Sequence, residues 1–335
     1  MPHGRLLTDI ERQIIEQGLK RAMSHRDIAL QIGRSQSVVS REIARNTTPR
    51  GYSVVTAKTL TAARAKKTNK RKLDHDLELQ AFVMHWIREG LSPEEVSGRL
   101  RQWPPPELTS RSISHETIYD WIYNGNGKYE GLKQYLRRKQ VNRREKGRGI
   151  KPIKIAIKNR MSIHKRPQSI NKRLQVGHWE DDSVVFPKQK PCLAVQYERK
   201  LMLARITKVP NKEACTHEWA LRAKIEKDPE GLWKTTTRDN GTENVLHHST
   251  RKQYGVKSYF CDTYSSWQKG GVENLNGLIR EYFPRDTDMS TITSEHVAWV
   301  ENKLNNRPRK KLNYLTPNEA LSAYLSRKKS DALNS

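Results

Sequence analysis

The C-terminal half of the chain orders its strand-like and helix-like segments in a way that few folds can accommodate. Three short segments rich in β-branched and aromatic residues come first, and they predict consecutive strands that pair antiparallel. In chain order the predicted strands and helices are HWEDDSVVF, PCLAVQYE, LMLARITKV, helical NKEACTHEWALRAKIEK, the strand TTTRD, a helix near 243–254, the strand VKSYFC and a helix from 271. SEHVAWVENKLNNRP and TPNEALSAYL are predicted to close the chain as helices. This order predicts an α/β domain with a mixed five-stranded sheet.

The element order is that of an RNase H-like domain, and three of its acidic residues are placed for metal chemistry. Asp182 lies in the first strand, Asp239 ends the fourth strand before Asn240-Gly241, and Glu273 lies in the first turn of a helix. Taken singly, Asp239 is a turn residue and Glu273 complements a helix dipole. Together they fit carboxylates that bind hard divalent cations for in-line displacement on phosphorus.

Strand alternation separates the two neighbouring aspartates of the first strand but does not choose between them. Glu180 and Asp182 fall on one face, and Trp179 and Asp181 fall on the other. Either Asp181 or Asp182 therefore remains a candidate at this point.

The charge of the chain predicts a nucleic-acid partner. Its net charge is +27 over 335 residues, and charge of this size attracts DNA or RNA in a salt-dependent way. The mean hydropathy of −0.88, the lack of a long apolar run and an N-terminus without a signal-peptide core predict a soluble, intracellular protein without a membrane partner. Three scattered cysteines form no zinc spacing or disulfide framework.

Residues 8–46 are predicted to form three short helices in a helix-turn-helix arrangement. Thr8 and Glu11 form a capping box at the first helix, Ser24 caps the second, and Gly33 turns the chain before the third. The basic outer face of the third helix favours DNA binding over a small protein-interaction bundle. The side chains predicted to contact DNA from that face are Gln36, Ser37, Ser40, Arg41 and Arg45.

A second helical module and a basic stretch are predicted between this domain and the sheet. Residues 77–123 contain another capping box, Ser92 with Glu95, and resemble a helix-turn-helix with a less basic face. DNA contact and a purely helical scaffold both remain possible roles for this module. The arginine- and lysine-rich run 133–174 joins two ordered regions, which favours a linker on the DNA backbone over a solvated tail. Its predicted phosphate contacts are Arg137, Arg138, Arg143 and Arg144.

These segments predict five parts of the chain. In order they are a helix-turn-helix domain at 1–55, a basic linker at 56–76, a second helical domain at 77–130, a basic linker at 131–174 and an RNase H-like catalytic domain with C-terminal helices at 175–328.

A series of motifs runs along nearly the whole chain: LTDIERQII, GRSQSVVSREIARN, LSPEEVSGRL, SHETIYDWIY, GHWEDD, RDNGTEN, YFCDTYSSWQKGGVENLNGLIREYFPRDTD and LNNRPRKKLNYLTPNEAL. These motifs resemble those of the insertion-sequence-30 family, bacterial transposases with a DDE carboxylate triad. The 33 residues between Asp239 and Glu273 match the family's spacing. The family usually has glycine where Asp181 stands, followed by the catalytic aspartate, so the resemblance assigns that role to Asp182.

The resemblance implies a DNA transposase whose Asp182, Asp239 and Glu273 hold two Mg²⁺ ions, with Mn²⁺ as a substitute. Such an enzyme cuts the ends of an insertion sequence and joins the freed 3′-OH ends to target DNA. Lys269 and Arg280 are expected to orient the DNA backbone, and Asn240 and Asn276 to support the carboxylates. The expected partners are double-stranded DNA and further copies of the chain, as a dimer or higher oligomer in the bacterial cytoplasm at the nucleoid.

Two other functions fit part of the pattern. A retroviral-type integrase shares the fold but usually carries a His/His/Cys/Cys zinc module, which this N-terminus lacks. A DNA-binding regulator with an inert RNase H-like domain is disfavoured because all three carboxylates are present.

Overall fold

The chain forms two compact units, Met1–Leu77 and Glu78–Ser335. The computed structural model describes residues 7–68, 71–136, 157, 159–263 and 265–333. No helix within these ranges is both long and apolar enough to span a membrane.

The N-terminal unit begins with the three predicted helices. Its helices are α1 Asp9–Lys20, α2 His25–Gln31, α3 Gln36–Asn46, α4 Val54–Thr68 and α5 Lys72–His75. The predicted capping box is present, because Thr8 and Glu11 each accept a hydrogen bond from the other's backbone amide. Ile15, Ile28 and Val39, one from each of the first three helices, are fully buried against one another. The apolar stripe of each helix therefore fixes the helix-turn-helix arrangement.

The second unit opens with three more helices and continues into the sheet. These helices are α6 Leu77–Arg88, α7 Pro93–Gln102 and α8 His115–Asn124. Ser92 and Glu95 form the predicted capping box at the start of α7. The remaining helices are α9 Gln168–Asn171, α10 Ala214–Lys227, α11 His247–Tyr254, α12 Gly270–Tyr282, α13 Ser294–Asn305 and α14 Pro317–Leu333.

The sheet has six strands in the order β1-β6-β5-β2-β3-β4. The strands are β1 Met161–Ser162, β2 His178–Val184, β3 Cys192–Glu198, β4 Ala204–Val209, β5 Thr235–Arg238 and β6 Lys257–Phe260. β2, β3 and β4 pair antiparallel, whereas β5 runs parallel to both β2 and β6. This is the strand order of an RNase H-like core, as the sequence predicts.

The predicted number of five strands is wrong by one. β1 lies within the stretch predicted as a basic linker, and its two residues pair parallel with Tyr259 and Phe260 of β6. A two-residue strand is too short to show apolar alternation, so the basic residues around it conceal it in the sequence.

Helices cover the two faces of the central strands. On one face, Val195 and Ile206 pack with Leu275 and Ile279 of α12 and with Val300 of α13. On the other face, Trp179 and Leu203 pack with Leu221 of α10, and the indole of Trp179 stacks on that of Trp233 at 3.8 Å between ring centroids. Alternate residues of β2 are thus directed to α12 and to α10.

The early helices of the second unit are held to its last helices by ion pairs. Arg99 of α7 pairs with Glu319 of α14 at 2.6 Å. Glu95, in the capping box of α7, pairs with Arg307 at 2.8 Å. Gly98 lies against the Tyr314 ring, where an added Cβ would lie 2.0 Å from Cε1 of that ring. Only glycine permits this approach, so α7 and the C-terminal segment 307–319 form one packed interface.

Candidate active site

Asp182 lies in β2 and is directed to the α12 face of the sheet. Its Oδ1 accepts a hydrogen bond from Nζ of Lys269 at 3.2 Å, and its Oδ2 accepts one from Nδ2 of Asn276 at 2.8 Å. About a fifth of the side chain (21%) remains exposed. The carboxylate is therefore held in place and still open to a ligand.

Asp239 follows β5 and lies at the same level along the paired strands as Asp182. Glu180 and Thr237 are partners in the parallel pairing of β2 with β5, and each aspartate comes two residues after one of them. Oδ1 of Asp239 accepts hydrogen bonds from the Gly241 amide at 3.0 Å and from Asn244 Nδ2 at 2.9 Å. Parallel pairing and the turn after β5 thus place the two carboxylates side by side.

Lys269 connects the two aspartates. Its Nζ donates to Oδ1 of Asp182 and to Oδ2 of Asp239 at 3.2 Å each, and to the Asp181 carbonyl oxygen at 3.0 Å. Burial opposes the charge of Lys269, but the two aspartates outweigh it and raise the pKa of Lys269 above its ordinary value. Burial likewise opposes the charge of Asp239, but Lys269 and the Gly241 amide keep the pKa of Asp239 below its ordinary value.

Glu273 is exposed in the first turn of α12, one helical turn after Lys269. The start of α12 is fixed to the sheet, because Glu180 accepts a hydrogen bond from the Val272 amide at 2.9 Å and pairs with Arg199. Within the described ranges, no three His, Cys, Asp or Glu side chains form a group able to hold a metal ion. The structure thus brings Asp182 and Asp239 together without Glu273.

Asp181 is directed to the opposite face, towards α10. Its Oδ1 accepts a hydrogen bond from Gln196 Nε2 at 2.9 Å, and its Oδ2 lies 3.5 Å from Nε of Arg238. Arg238 also lies 3.4 Å from Glu218 of α10. The alternation expected from the sequence is confirmed, and the buried Asp181 lies behind the pair formed by Asp182 and Asp239.

Known proteins similar to the chain cover nearly all of it. The helix-turn-helix domain family matches residues 3–46. The chain is 37% identical over 320 residues to the transposase for insertion sequence element IS4351 of Bacteroides fragilis, covering 93% of this chain and 94% of the relative. It is 38% identical over 330 residues to the transposase InsI for insertion sequence element IS30A of Escherichia coli (strain K12), covering 96% and 85%. The chain belongs to the insertion-sequence-30 family of transposases.

Family membership decides among the functions that the sequence left open. The transposase is an enzyme that cuts and joins DNA, and it binds DNA through its helix-turn-helix domain. Among solved structures it is similar to the catalytic core domain of BIV integrase, with a TM-score of 0.37, 17% identity and coverage of 47% of this chain and 99% of that one.

The five α3 residues that are predicted to contact DNA differ in their exposure to solvent. Gln36, Ser37, Arg41 and Arg45 are exposed, and Nε of Arg41 donates to the Ser37 carbonyl oxygen at 3.0 Å. Ser40 is half-buried, and its hydroxyl lies 3.1 Å from Nδ1 of His25. Four of the five side chains are therefore available to DNA.

The predicted contacts outside α3 differ more from expectation. Arg280 is half-buried, with its guanidinium 4.5 Å from the Phe186 ring centroid and donating to the Val185 carbonyl oxygen at 2.7 Å. Lys269 is buried between aspartates. Four further predicted contacts lie outside the described residues: Arg137, Arg138, Arg143 and Arg144.

Several supporting side chains of the transposase were not predicted in their observed roles. Asn244 holds Asp239, and Glu180 holds the start of α12. Asn276 contacts Asp182 as expected, whereas Asn240 donates to the Cys261 carbonyl oxygen instead of supporting a carboxylate. The only sequence signal for Glu180 was its position on the same strand face as Asp182.

Proposed function

We propose that Asp182, Asp239 and Glu273 are the catalytic carboxylates of the transposase, and that they hold two Mg²⁺ ions, with Mn²⁺ as a substitute. The observation that carries the proposal is the shared cation: one buried lysine bridges Asp182 and Asp239. Adjacent, partly exposed carboxylates are the ligands that hard divalent cations prefer. Cutting of the element's ends and joining of their 3′-OH groups to target DNA would both take place at this one site.

Asp182, Asp239 and the side-chain amide of Asn276 fit such ions, and the family resemblance assigns the third carboxylate to Glu273, exposed in the first turn of the helix that carries Asn276. Asp182 and Asp239 each direct one oxygen to the same point, which already holds a positive charge. The buried Oδ1 of Asn276, beside Asp182, has no hydrogen-bond partner among the described residues, so a further oxygen is available there. Two bound ions activate an attacking oxygen and stabilise a leaving one in phosphoryl transfer. The carboxylates are held in position by Asn276, by Asn244 and by the parallel pairing of β2 with β5.

A strand-transfer assay tests this function. DNA carrying the element's inverted-repeat ends is incubated with the transposase and Mg²⁺, Mn²⁺ or EDTA, and cleaved and joined products are separated on a gel. We expect products with either ion and none in EDTA. Products in EDTA, or no product with either ion although the ends are bound, would refute the proposed metal site.

We propose that α3 binds in the major groove of the element's ends and contacts the base edges, because its outer face carries exposed polar and basic side chains. Arg41→Ala should weaken binding to end DNA by about 1–3 kcal/mol, the range for one good base contact, and should relax sequence preference. Competition binding against random DNA at two salt concentrations measures both effects.

Two variants serve as comparisons for Arg41→Ala. Arg21→Ala removes the same charge from an exposed position outside α3 and should affect end DNA and random DNA alike. Neutralising Arg137, Arg138, Arg143 and Arg144 together should weaken binding to all DNA and flatten its salt dependence. Equal losses on both DNAs for Arg41→Ala would remove α3 from the recognition role.

We also propose that the transposase acts at the bacterial nucleoid as a dimer or higher oligomer on DNA. One carboxylate site carries out one phosphoryl transfer at a time, whereas two ends must be joined to one target. Light scattering of the transposase with end DNA should give a mass of at least two protomers per joined pair of ends. A complex with one protomer that joins both ends would refute this.

A further inference from the structure

The ammonium of Lys269 occupies the point where the two aspartates converge. Three oxygens accept its hydrogen bonds, one from each carboxylate and one from the Asp181 backbone, and only 4% of the residue is exposed. An ammonium has three donors, so all of them have partners. The ammonium of Lys269 is thus itself the cation that the candidate active site binds.

Without this cation, the electrostatic energy of the two neighbouring carboxylates would be unfavourable. Two carboxylates that share one point repel each other, and partial burial strengthens that repulsion. A lysine provides a compact charge on a flexible four-carbon stem, so its ammonium can neutralise the pair and also leave it. The backbone of Lys269 is fixed where a short 3₁₀ turn, Ser266–Lys269, meets α12.

We propose that Lys269 is the resident counter-ion of Asp182 and Asp239 in the metal-free transposase, and that a divalent cation binds by displacing its ammonium. This inference rests on the proposed function, because it takes the two aspartates as metal ligands. A cation bound by one oxygen of each carboxylate competes for the same lone pairs that Lys269 now uses. The two positive charges would also repel each other at such short range.

Displacement gives Lys269 two successive roles. In the metal-free state its ammonium keeps the carboxylate pair neutralised and in place. Once released, it lies at the start of α12, one turn before Glu273, as a charged group suited to a DNA phosphate. The expected contact of Lys269 with the DNA backbone and its observed contact with the aspartates then belong to different states of one cycle.

Metal affinity provides the first test. Mn²⁺ is titrated into wild type and Lys269→Met, and free Mn²⁺ is followed by electron paramagnetic resonance. Losing the competing charge should tighten Mn²⁺ binding about tenfold or more, because charges this close interact strongly even when partly screened. Lys224→Met is the matched control: Lys224 pairs with Glu301 at 2.8 Å, and the loss of its charge should change affinity much less.

Stability distinguishes the counter-ion role from a purely structural one. In EDTA, Lys269→Met should unfold at a lower temperature than wild type, and Mn²⁺ should raise its unfolding temperature by more than it raises that of wild type. A structural lysine would lower the unfolding temperature equally with and without Mn²⁺ and leave Mn²⁺ affinity unchanged. That result would overturn the proposal, as would weaker Mn²⁺ binding in Lys269→Met.

Amine labelling tests the displacement itself in the unmodified chain. Acetylation of Lys269 by a water-soluble succinimidyl ester, quantified by mass spectrometry, should be slow in EDTA and clearly faster with Mn²⁺. Continued protection of Lys269 with Mn²⁺ bound would refute displacement. Asp182→Asn and Asp239→Asn distinguish failure of the metal site from failure of displacement. If neither variant weakens Mn²⁺ binding, the proposed metal site is wrong. If both weaken it and Lys269→Met leaves Mn²⁺ affinity unchanged, the metal site stands and only displacement of Lys269 is wrong.

Discussion

Asp182→Asn, Asp239→Asn and Glu273→Gln should each abolish DNA cleavage and strand transfer while leaving binding of the element's ends largely intact. Each change removes the charge of one proposed metal ligand and nearly preserves side-chain size. Bound metal ions supply several kcal/mol to phosphoryl transfer, so the rate should fall by at least about 10³-fold. Gel assays of cleavage and joining, with mobility shift of end DNA as the binding measurement, check both halves of the expectation.

Asp181 provides the control for these variants, because it is adjacent in sequence but directed to the other face of the sheet. Asp181→Asn makes the same chemical change as Asp182→Asn, and it should retain cleavage at a temperature where the variant is folded. Asp181→Gly, which introduces the residue that the family resemblance leads us to expect at this position, should also remain active. If Asp182→Asn cut DNA normally and Asp181→Asn did not, the assignment to Asp182 would be wrong.

Arg238→Met should lower the free energy of unfolding by about 3–5 kcal/mol, the usual cost of removing one partner from a buried ion pair. Arg238 is fully buried and is placed between two carboxylates, Asp181 at 3.5 Å and Glu218 at 3.4 Å. Its loss would leave both of these charges buried beside an apolar side chain. Urea denaturation followed by circular dichroism measures the change.

The comparison for this variant is Arg251→Met on α11, where the arginine is exposed and the change should stay within about 0.5 kcal/mol. In an Asp181→Asn background, Arg238→Met should cost less than in wild type, because one of the stranded charges is already gone. If Arg238→Met had the same free energy of unfolding as wild type, the buried cluster of Arg238, Asp181 and Glu218 would contribute nothing to folding stability.

Local patterns predicted those features of the fold that depend on local geometry. The period of two in a strand placed Asp182 and Asp181 on opposite faces of β2, and the structure agrees because that period does not depend on what covers each face. The capping boxes at Thr8 and Ser92 were predictable for the same reason. β1 was missed because two residues carry no period.

Contacts that depend on tertiary structure were not predictable from the sequence. Lys269 was expected on DNA, since a lysine near a phosphate-transfer site usually contacts phosphate. Its contact with Asp182 spans 87 positions and its contact with Asp239 spans 30, so only the folded sheet brings them together. The pairing of Arg238 with Asp181 likewise depends on β5 lying beside β2.

The interface between α7 and the segment 307–319 bears on how this enzyme can be divided and recombined. Arg99 and Glu319 are 220 positions apart, yet together with Glu95 and Arg307 they join the start and the end of the second unit. Arg307 also lies 3.6 Å from Glu281 on α12, the helix that carries Glu273. A chimera that exchanges α6–α8 must therefore exchange 307–319 with them, and a C-terminal truncation before Arg307 would loosen the packing of both α6–α8 and α12. The boundary between the two units, at Leu77 and Glu78, is the better place to attach a different DNA-binding domain.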